Sequence, residues 1–269
     1  MLTFSRNALS VLAMLSGLGL SNPAFGLDAS KLITPETKSS TVIELFVGYV
    51  NEGKREDAVE VLRYAAEQGN SAAQWKLAHI YESGDQGIER DPLQAFKMFH
   101  RIAQKYSIAR PNTASWQFSA DALVKLGNYY RQGIPGTHIK SDPSQAFVMY
   151  TTAAMVFRHP DAQFQLGRMQ INNEKRFGQG RLGVRNLALA HKKGHVGAEA
   201  LLGYSHFEGI HTRYDPVRGL TMLKSALSRA NTRDKVWIQQ LHDEAFALAH
   251  PKDRAKVLEL TSAKIRERR

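Results

Sequence analysis

The chain has 269 residues and no cysteine, which excludes disulfides, thiolate chemistry and cysteine-bound zinc at the outset. Apolar residues make up 43% and charged residues 23%, the balance of a globular protein with a packed core. Lysine and arginine outnumber aspartate and glutamate by 36 to 25, so the surface favours acidic partners: nucleic acid, anionic lipid, acidic polysaccharide or an acidic protein face.

The first 26 residues carry a single charge, Arg6, then an apolar run over 8–20, the helix-breaking pair Asn22-Pro23, and small residues at Ala24 and Gly26. A basic start, a short apolar run and a small-residue site read as an export signal. A membrane-spanning helix needs roughly 20 apolar residues. We expect residues 1–26 to be a signal peptide cleaved after Gly26 and the protein to be periplasmic. Removal of Arg6 takes the net charge from +11 to +10. Export also argues against DNA or RNA as the partner.

One pattern then recurs five times. "DAVEVL", "QAFKMF", "QAFVMY", "LGVRNL" and "RGLTML" align on a small residue: Ala58, Ala95, Ala146, Gly183 and Gly219. Four positions on stands a large apolar residue: Leu62, Phe99, Tyr150, Leu187 and Leu223. Apolar recurrence at this spacing marks one face of an amphipathic helix. The steps are 37, 51, 37 and 36 residues. The long step contains extra loop, "SIARPNTAS", over 107–115.

A second helical element precedes the last four of these: "AQWKLAHIYESG", "ALVKLGNYYRQG", "AQFQLGRMQINN" and "AEALLGYSHFEG". Its signature is small, Leu, small, as in Ala73-Leu77-Ala78 and Ala198-Leu202-Gly203. The leucine fills the space between helices, and the small residue beside it lets a neighbour approach. Gly84, Gly133 and Gly209, with Asn173 in the fourth unit, suit the left-handed conformation that ends a helix. Asp91-Pro92, Asp142-Pro143 and Asp215-Pro216 restart the chain, with aspartate as N-cap and proline at the first helical position. Beyond Ala230 the repeat stops. Two more helices, within 235–249 and 253–269, suit the polar-backed cap that an open array needs.

The pattern is similar to Sel1-like repeats, a subclass of the tetratricopeptide superfamily. The residues that carry it are "AAEQGNSAAQWKLAHIY", "ALVKLGNYYRQG", "PDAQFQLGRM" and the "DPxQAF" pairs, over about 57–230. The resemblance implies an all-α, right-handed α-solenoid of helix hairpins with C-terminal capping helices. The expected layout is a signal peptide (1–26), an extended N-terminal linker (27–40) and five repeat units within 41–230. Those units fall at about 41–70, 71–106, 116–158, 159–195 and 197–230, followed by capping helices over 231–269. Unit four departs from the pattern, with Gln170 at the position of Tyr130 and a glycine-containing loop between its helices.

A narrower resemblance spans nearly the whole exported chain. "AAEQG…AQWKLA", "YRQGIPG", "PDAQFQLGRM" and "VRGLTML" followed by "WIQQLHDEAF" look like the ExoR family of periplasmic negative regulators of exopolysaccharide production. That resemblance implies a non-enzymatic role. The partner would be the periplasmic sensing domain of a membrane sensor histidine kinase (ExoS-type), held off by the bound regulator. Release would alter succinoglycan production and related envelope and motility programmes.

Little in the sequence points to chemistry. Gly178, Gly180 and Gly183 spell GxGxxG, but a helix precedes them and Gly183 is a repeat packing position, so no dinucleotide site is expected. His191 and His195 share a face if one helix carries both, yet no carboxylate completes a zinc set. Nucleophile-elbow, Walker and HExxH motifs are missing. We expect no catalytic residues, no cofactor and no metal. Tyr81, Tyr130 and Phe207 read as core ridges between helices. In tetratricopeptide relatives the first helix of each unit lines a concave groove. By that resemblance the residue two after each repeat leucine faces the partner: His79, Asn128, Arg168 and Tyr204. The competing reading is an envelope scaffold that grips anionic cell-wall or outer-membrane polymer through its basic surface.

Overall fold

The computed structural model describes residues 27–105, 111, 113–172 and 179–266. The expected signal peptide, most of the 107–115 loop, Asn173 and Gly178 lie outside the described residues. Among the described residues the chain forms twelve α-helices and a 3-10 turn at Ala29–Lys31, with no strand. Five hairpins follow one another: α1 (Ser39–Asn51) with α2 (Arg55–Glu67), α3 (Ser71–Ser83) with α4 (Pro92–Gln104), and α5 (Ala114–Gln132) with α6 (Pro143–Met155). Then come α7 (Pro160–Asn172) with α8 (Gly180–Lys192) and α9 (Val196–Glu208) with α10 (Pro216–Arg229). The last two helices, α11 (Thr232–Leu248) and α12 (Pro251–Arg266), pack on α10. None of the described helices is long and apolar enough to cross a membrane.

Short polar signals set the helix ends. Asp91 Oδ1 accepts from the amides of Leu93 and Gln94, both at 3.0 Å, and Asp142 Oδ1 accepts from Ser144 and Gln145 at 2.9 and 3.1 Å. Asp215 accepts from Arg218 N at 3.0 Å. Each aspartate is followed by proline at the helix start, where a missing N–H costs nothing. Gly84 and Gly209 end their helices in the left-handed region (φ 75° and 71°). Gly133 does not: its φ of 74° is joined to a ψ of 175°, a region reserved for glycine. The chain there turns into a loop in which Ile134 N donates to Ile139 O (2.8 Å) and the Ile134 side chain is buried.

The recurring small residues are the points where helices touch. A Cβ placed on Gly203 would lie 2.9 Å from Gly219 O, and one on Gly219 would lie 2.6 Å from Gly203 O. Gly167 and Gly183 repeat the arrangement between α7 and α8, each 2.8 Å from the other's carbonyl oxygen by the same construction. In the third unit the Tyr150 ring occupies the space a side chain on Gly127 would need, 2.5 Å away. Leu62, Phe99, Tyr150, Leu187 and Leu223 are all fully buried, as the repeat register requires. In unit four the missing aromatic is replaced by a polar pair: buried Gln170 accepts from Asn186 Nδ2 at 2.8 Å.

No unit has a core of its own. Tyr81 and Met98 pack against both the first and the second apolar cluster, and Trp237 bridges the last two. Residues 27–40 are not an extended linker. Ile33 is buried with Val42 and Phe46, Ala29 is buried too, and Leu27 N donates to Asp57 Oδ1 at 3.3 Å. This segment covers the apolar face of α1 and α2. At the other end Ile238, Ala245, Ala249 and Val257 close over Leu220 and Leu223.

Successive first helices also touch one another: α1 meets α3, α3 meets α5, α7 meets α9 and α9 meets α11. Among the described residues the second helices of the five hairpins make no comparable contact with one another. The array therefore curves with its first helices on the inside, and their outward stripe forms the concave face.

Candidate partner-binding face

The four expected groove residues stand on α3, α5, α7 and α9, all partly buried and each engaged with a neighbour. His79 Nε2 lies 3.0 Å from Asp121 Oδ2, across the α3–α5 junction. Asn128 Oδ1 accepts from the Tyr150 hydroxyl at 2.7 Å. The Arg168 guanidinium sits over the Phe164 ring at 5.5 Å. The Tyr204 hydroxyl donates to Glu244 Oε1 at 3.2 Å, linking α9 to α11.

Around His79 the structure assembles a group that the register argument did not name. Trp75 Nε1 donates to the same Asp121 oxygen at 2.7 Å, and the indole stacks on Phe118 with centroids 5.2 Å apart. On its other side His79 Nδ1 stands 3.4 Å from Glu82 Oε2, which also accepts from Lys125 Nζ at 2.6 Å. Burial pulls the His79 imidazolium down, but the hydrogen bonds to Asp121 and Glu82 outweigh it and hold its pKa above the ordinary value. Burial pushes Asp121 and Glu82 up, and their bonds to His79 and to Trp75 or Lys125 carry both below the usual carboxylate range. With His79 protonated, two cations balance two anions, and the α3–α5 part of the face is electrically closed.

The α5–α7 part is different. Arg131, near the end of α5, has its Nε fully buried with no hydrogen-bond partner. Its guanidinium neighbours the Tyr150 hydroxyl and Arg168. Burial, and then the like charge of Arg131, depress the Arg168 pKa.

A stripe at helical spacing would have found these residues. Asp121, Lys125 and Arg131 lie seven and three before and three after Asn128, and Trp75 and Glu82 lie four before and three after His79, all on one helix face. The other candidates dissolve. His191 is in the last turn of α8, whereas His195 is the N-cap of α9, its Nδ1 accepting from Ala198 N at 3.0 Å, so the two do not share one helix face. Gly183 packs against α7. Among the described residues no three His, Asp or Glu side chains are grouped to hold a metal ion.

Sel1 repeats match residues 71–107, 120–155 and 196–231. In fold the chain is similar to c5321, a protective antigen of uropathogenic Escherichia coli displaying an SLR fold, with a TM-score of 0.62 and 22% identity over 85% of this chain. It spans about half that structure, 46% of its length. It is also similar to a Sel1 repeat protein from Oxalobacter formigenes, with a TM-score of 0.58 and 19% identity over 87% of this chain and 92% of that one. At these identities the likeness is one of fold alone. Curated relatives are nearer. The exopolysaccharide production negative regulator of Rhizobium meliloti (strain 1021) is 34% identical over 93% of this chain and 90% of its own. The protein of the same name from Rhizobium leguminosarum bv. viciae is 35% identical over 91% and 89%. With two such relatives matched almost end to end, and Sel1 repeats in the register of its hairpins, the chain belongs to the Sel1-repeat family of exopolysaccharide production negative regulators.

Proposed function

We propose that the protein is an exported, periplasmic negative regulator of exopolysaccharide production that works by binding and not by catalysis. It holds the periplasmic sensing domain of a membrane sensor histidine kinase (ExoS-type) in its inactive state. Support for regulation comes from the end-to-end match to two proteins of that name. Binding through the concave face is supported by one observation: His79, Asn128, Arg168 and Tyr204 recur at one position of successive first helices, with aromatic and charged neighbours. Stacked hairpins supply a long continuous surface, which suits recognition of a macromolecule. Arginine and aromatic residues are the types that dominate binding energy at protein interfaces.

Capture of the purified sensing domain by the purified protein, at about 0.1 M and about 0.5 M salt, tests the partner. Charges apart by more than a Debye length, about 10 Å at 0.1 M, are screened at the higher salt. A complex that persists, and that Tyr204→Ala or His79→Ala weakens, supports the reading. Binding to cell-wall or outer-membrane polymer that salt abolishes, with no capture of the sensing domain, supports the scaffold reading instead. In cells, deletion should raise polysaccharide output; unchanged output would end the regulator proposal.

A further inference from the structure

Consecutive first helices approach one another along the concave face least closely at one place. α1–α3, α3–α5, α7–α9 and α9–α11 are in contact, whereas α5 and α7 do not approach to the same extent. Tyr150 of α6 reaches through to this gap, its ring seated on Gly127 and its hydroxyl on Asn128. Arg131 of α5 and Arg168 of α7 both stand near the Tyr150 hydroxyl and near each other. Neither forms an ion pair with a described carboxylate. This is not the habit of the molecule. The half-buried Lys125 is paired with Glu82, and Arg229 with the buried Glu199.

We infer that the gap between α5 and α7 is a carboxylate-binding notch that takes an acidic side chain of the protein partner, with Arg131, Arg168 and Asn128 as its donors. The inference rests on the partner-binding reading above and adds the chemistry of the contact. Three features carry it. A buried Nε–H without an acceptor is a cost that a native structure seldom leaves uncompensated, and a bound oxygen would remove it. Two neighbouring guanidiniums repel, and an anion between them reverses the sign of that interaction. Asn128 spends its oxygen on Tyr150, which leaves only its amide hydrogens to offer, and these have no acceptor among the described residues. The notch is therefore rich in donors and poor in free acceptors. Guanidinium groups match a carboxylate in a planar, two-pronged arrangement that lysine cannot reproduce. The neighbouring α3–α5 surface is already neutralised by its own acids, so the α5–α7 gap is where the concave face carries positive charge with no counter-charge among the described residues.

The test is a titration of the purified protein with a blocked hexaglutamate peptide at about 0.2 M salt, reading the arginine Nε–Hε resonances and the affinity. Hexaglutamine, inorganic phosphate and polygalacturonate serve as comparison probes. Saturable binding of hexaglutamate that moves the Arg131 and Arg168 signals is expected. Arg168→Gln should weaken it by about tenfold or more, and Arg168→Lys, which keeps the charge, by nearly as much. Arg181→Gln, on the exposed surface of α8, should leave it unchanged. Far-ultraviolet circular dichroism confirms that each variant is folded. Equal losses for Arg168→Gln and Arg181→Gln would reduce the effect to net charge and overturn the notch. Phosphate or polygalacturonate moving both signals while hexaglutamate moves neither would overturn the protein side chain as occupant. Failure of hexaglutamate with continued capture of the sensing domain refutes only this inference. Binding of hexaglutamate without capture of the sensing domain leaves the notch and removes the kinase partner.

Discussion

Replacing Gly219 by alanine tests the packing rule on which the array stands. A Cβ at this position would lie 2.6 Å from Gly203 O, 2.7 Å from Phe207 N and 2.9 Å from Phe207 Cα. All three are backbone atoms of α9, so no side chain can swing aside. Ordinary contact begins at 3.4 Å, which means that α9 and α10 must part by about 0.8 Å. Overpacking of this kind costs about 1–3 kcal/mol, and a backbone-on-backbone clash belongs at the upper end. Alanine recovers about 1 kcal/mol of helix propensity. The net loss is about 2 kcal/mol, or a fall in Tm of roughly 4–8 °C for a chain of this size. Gly48→Ala is the matched control. Gly48 lies on the exposed face of α1 with nothing within 4 Å of its Cβ position, so only the propensity gain applies and Tm should rise by roughly 2–4 °C. Thermal melts followed at 222 nm read both. Hydrogen exchange should place the Gly219→Ala loss in the α9 and α10 amides, since each hairpin answers mainly to its neighbours. Adding Gly203→Ala should cost less than it does alone, because the helices have already moved apart. If Gly219→Ala and Gly48→Ala both raise Tm, the small residues do not set the distance between helices and the reasoning fails.

Asp142→Ala should lose about 1 kcal/mol by freeing the amides of Ser144 and Gln145, and Asp142→Asn should keep most of it; denaturant melts decide. Because the His79 pKa is raised, its ion pairs contribute in full below about 6.5 and fade as pH climbs through the higher folded value. Asp121 and Glu82 run the other way: their contribution is complete above about 4.5 and is lost as the pH falls through their lowered folded values. An imidazole titration by NMR should give a midpoint above 6.5 that Asp121→Asn brings down, and a wild-type midpoint at or below 6.5 would count against the group. Arg229→Ala should cost about 2 kcal/mol, less than a fully buried pair because the arginine is half exposed, since it leaves the Glu199 carboxylate buried without its partner. Glu199→Gln, which buries no charge, should cost less.

What could be read in the sequence was whatever repeats. Five small residues, five large apolar ones and three Asp-Pro pairs announced hairpins, contacts and caps, because each is a local necessity written at a regular interval. The four positions two after the repeat leucines were found by the same register. Their partners were not, since Asp121, Trp75, Glu82 and Arg131 share a helix face with those positions but occur once each, so the repeat register that marks the four does not mark them. Gly133 stands at a helix end like Gly84 and Gly209, and sequence position alone assigns all three the left-handed cap. The different ψ of Gly133 accompanies the loop that follows, in which Ile134 is buried and its amide donates to Ile139 O. Residues 27–40 looked like a linker because their apolar residues are few and unevenly spaced. Their role is to pack on the joint apolar face of α1 and α2, which only the assembled hairpin exhibits.

The irregular step of 51 residues has a structural consequence at the face itself. α5 is 19 residues long where the neighbouring first helices, α3 and α7, have 13, and the added turns lie before the repeat's Ala122. Those turns carry Phe118 and Asp121, which stack on and bond to Trp75 and hold His79. The insertion thus locks the N-terminal end of α5 to α3 by a neutral network. Toward the opposite end of the same helix Arg131 stands near Tyr150 and Arg168, where α5 and α7 are in least contact. A rigid helix anchored firmly at one end holds its other end in place without direct contact to the next unit. The gap beside α7 can therefore persist as a preformed opening, and the two arginines can be held close together before any partner arrives. Preorganisation of that kind reduces the ordering cost of binding. It also separates the two tasks of the concave face: α3 and α5 supply stability through groups that satisfy each other, while α5 and α7 keep donors in reserve for a group from outside.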